Sequence, residues 1–148
     1  MKRIRRVLHP TDFSRASKGA FDRAVEMARA NGAELLLVNV FTPSIPPLGE
    51  AYVSPRAYAE LEASARAYAK KRLDALVAKA RRAGARVRGL LLEGLAHEGI
   101  AQVARRKRAD LLVMGTHGRT GLARFFLGSV ASRVLAIAPC PVMTVRGS

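Results

Sequence analysis

Short, unbroken apolar runs alternate with long stretches of helical periodicity along this chain, and no other feature restricts the fold as much. Leu35-Leu36-Leu37-Val38 and Leu111-Leu112-Val113-Met114 lack the every-second-residue polarity of a strand that faces water. Such runs belong to strands covered on both sides, as in a parallel sheet. Amphipathic segments lie between them. Phe21, Ala24, Val25 and Ala28 share one face of a helix over 14–31, stopped by Asn31-Gly32. A long helix over 56–83 carries an apolar stripe from Tyr58 and Leu61 through Ala65, Tyr68, Ala69, Leu73, Leu76 and Val77 to Ala80. Ala96, Ile100, Val103 and Ala104 mark a third helix over 95–107; Val130, Val134 and Ile137 mark a fourth over 129–137. Strands are expected at 4–9, 33–40, 85–92, 110–114 and 142–145.

Strand and helix in alternation predict one α/β domain over 1–148, an open five-stranded parallel sheet with helices on both faces. Ligands of such sheets sit beyond the carboxyl ends of the strands, where the strand order reverses. The loops after the first, second and fourth strands, beginning at Pro10-Thr11-Asp12, at Val40 and at Gly115, are expected to converge there. The segment 41–55 holds Pro43, Pro46, Pro47, Gly49 and Pro55, and its proline content predicts a flexible flap within the domain.

The loop after the fourth strand has the composition of a phosphate site. Gly115-Thr116-His117-Gly118 follows the apolar run directly, and Gly128-Ser129 opens the last helix. Glycines let the backbone approach an anion and expose free N–H groups. The helix that follows aims its own unpaired N–H groups at the same place. Neither G-x-x-x-x-G-K-[ST] nor G-x-G-x-x-G occurs, which excludes the usual NTPase loop and the usual dinucleotide fingerprint. Glycines also occur in such loops for turn geometry alone, so the two roles must be weighed together.

This pattern, Gly115-x2-Gly118-x9-Gly128-Ser129, resembles the nucleotide-binding signature of the universal stress protein family, in its ATP-binding branch. The segments Val7-Leu8-His9-Pro10-Thr11-Asp12-Phe13-Ser14 and Pro139-Cys140-Pro141-Val142 resemble the family's first strand and the entry to its fifth. The resemblance implies a Rossmann-like, adenine nucleotide alpha hydrolase-like fold. It implies ATP as ligand, with any Mg²⁺ or Mn²⁺ arriving on the nucleotide. Pro10 and Thr11 would line the base pocket, and Val40 would meet adenine through its main chain. Met114, Gly115, His117, Gly118 and Arg119 would surround the ribose and phosphates. Gly128, Ser129 and Val130 would hold the outer phosphates, chiefly by backbone N–H groups. Asp12 has two readings: a cap before the first helix, with Ser14 competing for that role, or an acceptor for a ribose hydroxyl or the adenine edge. The resemblance implies the second. It also implies a homodimer through the last strand, Val142 to Val145, since an apolar edge strand needs cover. The family often has Asp-Pro before the third helix; this chain has Gly94-Leu95-Ala96, which weakens that helix's cap.

No catalytic carboxylate pair, nucleophile triad or P-loop lysine is apparent, so no catalytic residue is assigned. A nucleotide-dependent stress-response or regulatory module is the leading reading. A slow ATP hydrolase is the alternative, with only Asp12, His117 and Arg119 near enough to orient water. The formal net charge of +15 opens a further alternative, a basic nucleic-acid-associated protein. Aromatic residues make up only 5% and Trp is absent, which argues against a base-stacking surface. The clusters Arg81-Arg82 and Arg105-Arg106-Lys107-Arg108 fall at helix C-termini, where the macrodipole favours cations. The single cysteine, Cys140, is expected to be a small buried apolar residue and permits no internal disulfide. His9 and His97 carry no metal-ligand spacing. No signal-peptide-length or membrane-spanning apolar stretch occurs, so a cytoplasmic protein, with no membrane partner, is expected.

Overall fold

The computed structural model describes residues 2–43, 53–117 and 127–147. Its elements run β1 (Arg6–Pro10), a 3₁₀ turn (Arg15–Ser17), α1 (Lys18–Asn31), β2 (Glu34–Phe41), α2 (Pro55–Arg82), β3 (Arg86–Glu93), α3 (Ala96–Arg106), β4 (Leu111–Gly115), α4 (Ser129–Ile137) and β5 (Val142–Val145). The five strands form one sheet in the order β3-β2-β1-β4-β5. Every pairing is parallel. This is the expected single-domain α/β architecture.

Alternate strand residues feed two cores. Val7, Leu35, Leu37 and Val113 pack under α1 and α2 with Phe21, Ala24, Leu73 and Ala80. Leu8, Leu36, Val38 and Leu112 pack under α3 and α4 with Ile100, Val103, Ala131 and Val134. Burial on both faces accounts for the unbroken apolar runs. At the amino ends, the Asp110 carboxylate ties β1 to β4 by accepting the backbone N–H groups of Arg5 (2.9 Å) and Arg6 (3.1 Å). Those bonds, with Lys2 beside it at 3.4 Å, hold Asp110 below the usual carboxylate range, against the upward push of its partial burial.

Several boundaries differ from the sequence-based expectation. The first strand starts at Arg6 and extends to Pro10, which sits at the strand's end. The first α-helix starts at Lys18 rather than Ser14, because the chain from Asp12 to Ser17 is folded into side-chain-bonded turns. β2 runs through Phe41, and Pro55 is already helical, so both ends of the expected 41–55 flap are regular structure. Residues 44–52 of that flap lie outside the described residues. Ser54 caps α2 by accepting the Ala57 N–H at 3.1 Å, with Pro55 behind it in the first turn.

The apolar stripe of α2 is buried only at Ala69, Leu73 and Ala80; Tyr58 and Tyr68 are exposed. The 28-residue helix is about 42 Å long, whereas the eight-residue strands it covers span about 27 Å. The helix is therefore longer than the sheet it covers, and its buried residues all fall in its carboxyl-terminal half. Leu95 stands at the N-cap of α3 without a side-chain bond, as the Gly94-Leu95-Ala96 sequence predicts. Cys140 is half-buried rather than buried, and burial, then the charge of Asp110, raises its thiol pKa.

Candidate functional site

The chain walks outward from β1 to β2 and β3, then returns to the other side of β1 to build β4 and β5. The helix after β1 covers one face of the sheet, and the helix after β4 covers the other. The loops leaving β1 and β4 therefore part in opposite directions. Between them lies a cleft of about 260 Å³ at the carboxyl ends of the strands. Its place, beyond the strand ends where the strand order reverses, is that of a small-molecule site.

Every residue selected from the sequence that falls within the described residues lines this cleft. Pro10, Thr11 and Asp12 come from the β1 loop, Val40 from β2, and Met114, Gly115 and His117 from β4 and its loop. Gly128, Ser129 and Val130 come from the start of α4. Gly118 and Arg119 lie outside the described residues. Val38, Ile100, Ala96 and Ala131 complete the apolar wall, and Ser17 and Thr116 add hydroxyls. The sequence reading had Ile100 and Ala96 as core-facing residues of α3, and that same periodicity puts them at this end of the core. Ser17 and Thr116 carried no signal of their own.

The β1 loop is built by side chains. Asp12 Oδ1 accepts the Ser14 N–H at 2.9 Å, and Thr11 Oγ1 accepts the Phe13 N–H at 3.0 Å. The Ser17 hydroxyl donates to the Ser14 carbonyl at 2.8 Å. Asn39 Nδ2, buried on β2, donates to the Thr11 carbonyl at 2.8 Å. Between these bonds Phe13 adopts φ +63°, a conformation rare for a bulky residue, which the surrounding bonds over-determine. Asp12 thus does organise the turn before the first helix, through an Asx turn. The same carboxylate lines the cleft, so its two readings are compatible.

The described part of the β4 loop is joined by backbone bonds. The Thr116 N–H donates to the Val145 carbonyl at 3.0 Å, and the Gly128 N–H donates to the Thr116 carbonyl at 2.7 Å. A Cβ on Gly128 would stand 3.0 Å from the Thr116 carbonyl oxygen and 3.4 Å from His117 Cα. A Cβ on Gly115 would stand 3.2 Å from the His117 carbonyl oxygen. A side chain at either glycine would thus press on neighbouring backbone, so loop packing favours glycine at both positions. The first bond of α4 runs from the Ser132 N–H to the Gly128 carbonyl at 2.9 Å. Among the described residues no carbonyl accepts the N–H groups of Ser129, Val130 or Ala131, and all three residues line the cleft. No acidic residue occupies that first turn. This is an anion-receptive helix terminus. His117 Nδ1 lies 3.0 Å from Thr116 Oγ1, and its buried Nε2 has no partner among the described residues.

His9 had looked unremarkable in the sequence and is the hidden tie beneath the cleft. It is fully buried, and its Nδ1–H donates to the Val113 carbonyl at 2.8 Å. The ladder between β1 and β4 pairs Val7 with Leu111 and Leu8 with Leu112. His9 extends that junction by one side-chain bond at the point where the strands diverge. Burial pushes its pKa down to about 4, opposed in part by the bond to Val113 and by the charge of Asp12.

The chain resembles known proteins along its full length. The family model described as "Universal stress protein family" matches residues 3–146. A universal stress protein of Thermus aquaticus, encoded in the 3′ region of a QAH/OAS sulfhydrylase, is 37% identical over 140 residues, covering 95% of this chain and 97% of that protein. Among solved structures, universal stress protein UspA from Lactobacillus plantarum superposes with a TM-score of 0.83 at 27% identity, over 99% of this chain and 100% of the other. A universal stress protein in complex with cAMP gives 0.72 at 27% identity, over 99% and 100%. A family member from Arabidopsis thaliana with AMP bound gives 0.69 at 25% identity, over 97% and 92%.

Proposed function

Because the chain belongs to the universal stress protein family, we propose that its cleft binds an adenine nucleotide, ATP above all, as a ligand that sets conformation or partner choice in a stress response. The observation that carries this reading is the cleft itself. An apolar wall of Val38, Val40 and Ile100 suits a flat base, and the open N-terminus of α4 beside Gly128 suits phosphates. The solved relatives with cAMP and AMP support the adenine nucleotide class. Asp12 lines the cleft, and in this reading it accepts from a ribose hydroxyl or the base edge. Gly128, Ser129 and Val130 favour a nucleotide long enough to reach them, hence ATP. Mg²⁺ or Mn²⁺ would travel with its phosphates. A dimer through β5 belongs to the same reading, since β5 closes one edge of the sheet. So does a cytoplasmic place of action; among the described residues no helix is long and apolar enough to cross a membrane.

Native mass spectrometry of the full chain with ATP, AMP and GTP in equal amounts tests the proposal. One ATP per chain, in preference to GTP, is the expected result. Adducts of all three in proportion to their charge would mean that the basic surface, not a cleft, collects them. Phosphate release measured on the same samples separates ligand from substrate: turnover proportional to protein and lost in His117→Ala would favour the slow-hydrolase alternative.

A further inference from the structure

A second cavity, of about 480 Å³, opens between α1 and α2 on the other side of the β1 loop. Its floor is apolar and aromatic, with Phe13, Phe21 and Leu76. Its rim is cationic, with Lys18, Lys71, Arg72 and Lys79, and no carboxylate lines it among the described residues. Lys18 is spoken for by Asp22 at 3.0 Å. Lys71, Arg72 and Lys79 have no acidic partner within ion-pair distance among the described residues. Arg72 and Lys79 are instead arranged by ring faces. The Arg72 guanidinium lies 5.3 Å from the Phe13 ring centre and 5.6 Å from that of Tyr68. It also donates to the Tyr68 hydroxyl at 2.8 Å and to the Phe13 carbonyl at 3.2 Å. Lys79 Nζ lies 5.4 Å from the Phe21 ring centre.

We propose that this groove is a second binding site, distinct from the nucleotide cleft, for a small organic anion with an apolar body and one carboxylate. Charge complementarity fixes the sign of the occupant. Three cations without acidic partners among the described residues line one rim, and a carboxylate there gains charge-assisted bonds with no anion to displace. The volume and the aromatic floor fix its body, since a pocket of this size rewards burial of a flat or chain-like apolar group. Thr11 and Ser17 line both cavities, so the two sites share a wall made by the β1 loop.

Titration of 2-naphthoate into the full chain at physiological salt, without added nucleotide and read by amide NMR shifts, tests this independently of the nucleotide reading. Saturable binding of one naphthoate per chain is expected, with shifts centred on Phe13, Phe21, Lys71, Leu76 and Lys79. Neutral 2-naphthamide should bind more weakly. Lys71→Glu with Lys79→Glu should weaken naphthoate at least about tenfold. Arg105→Glu with Arg106→Glu, which removes the same charge from exposed positions on α3, should leave it unchanged. The proposal is overturned by absence of saturable binding, by equal weakening in both double variants, or by shifts confined to Gly115, Gly128 and Ser129.

Discussion

The two arms of the cleft are made of different material. The β1 arm, from Thr11 to Ser17, adds side-chain bonds to its two backbone bonds: Asp12, Thr11, Ser17 and, from β2, Asn39 each bond a backbone group. In the other arm, the described residues 115–117 and 128 are joined by backbone bonds, at glycines where a Cβ would crowd a carbonyl. The difference teaches where each arm is open to change. Side-chain bonds can be removed singly, each at modest cost. At the glycines an added side chain presses on a backbone carbonyl, so the chain itself must shift to admit it.

The largest expected effect is therefore on the glycine arm. Gly128→Val should weaken ATP by more than about a hundredfold, equivalent to about 3 kcal/mol, while circular dichroism still reports a folded sheet. Thr116→Val, one residue past Gly115, should change affinity by less than about threefold, because among the described residues its hydroxyl bonds only His117. Equal losses in the two variants would show that the crowding at Gly128 is not what makes this arm sensitive.

Next comes the tie between the strands that carry the two arms. His9 has a pKa of about 4 when folded, against about 6.5 in an unfolded chain. Between those values the unfolded chain takes up a proton that the folded one refuses. Stability should thus fall as pH drops from about 6.5 to 4, by about 3 kcal/mol from this group, and change no further below. Urea denaturation at pH 7, 5.5 and 4 measures it, and His9→Gln should flatten the dependence. A slope unchanged in His9→Gln would show that the loss comes from other groups.

A smaller effect is expected in the side-chain arm. Asp12→Ala removes the acceptor for Ser14 and should cost about 1 kcal/mol of stability, seen as a shift in the denaturation midpoint. It should also weaken ATP, whereas Asp12→Asn, which keeps an acceptor oxygen, should restore the stability but only part of the affinity. The smallest effect lies outside both arms. Leu95→Thr gives α3 the N-cap it lacks, with Glu98 three residues on to complete a capping box. A gain of about 0.5–1 kcal/mol is expected with ATP affinity unchanged.

The sheet was readable in the sequence because strands buried on both faces must be apolar throughout, as at 35–38 and 111–114. The glycine loop was readable for a related reason: a backbone-built arm forces residue identity. What escaped notice was whatever depends on partners distant in sequence. His9 reads as an isolated polar residue until Val113 is placed beside it. Asp12, Phe13 and Ser14 read as the approach to a helix, yet the bonds from Thr11 and Asp12 start a tighter turn and delay α1 to Lys18. Periodicity along α2 marked an apolar face but not its length of contact, which the shorter strands decide.

The central claim is that the two arms hold one adenine nucleotide between them. Calorimetric titration of the full chain with ATP, with AMP and GTP beside it and Gly128→Val as the comparison, addresses it most directly. The account predicts one site per chain of about micromolar affinity for ATP, weaker GTP, and loss of the signal in Gly128→Val. A folded, nucleotide-free chain that takes up no ATP would contradict it, and would leave Gly115 and Gly128 with loop packing as their whole role.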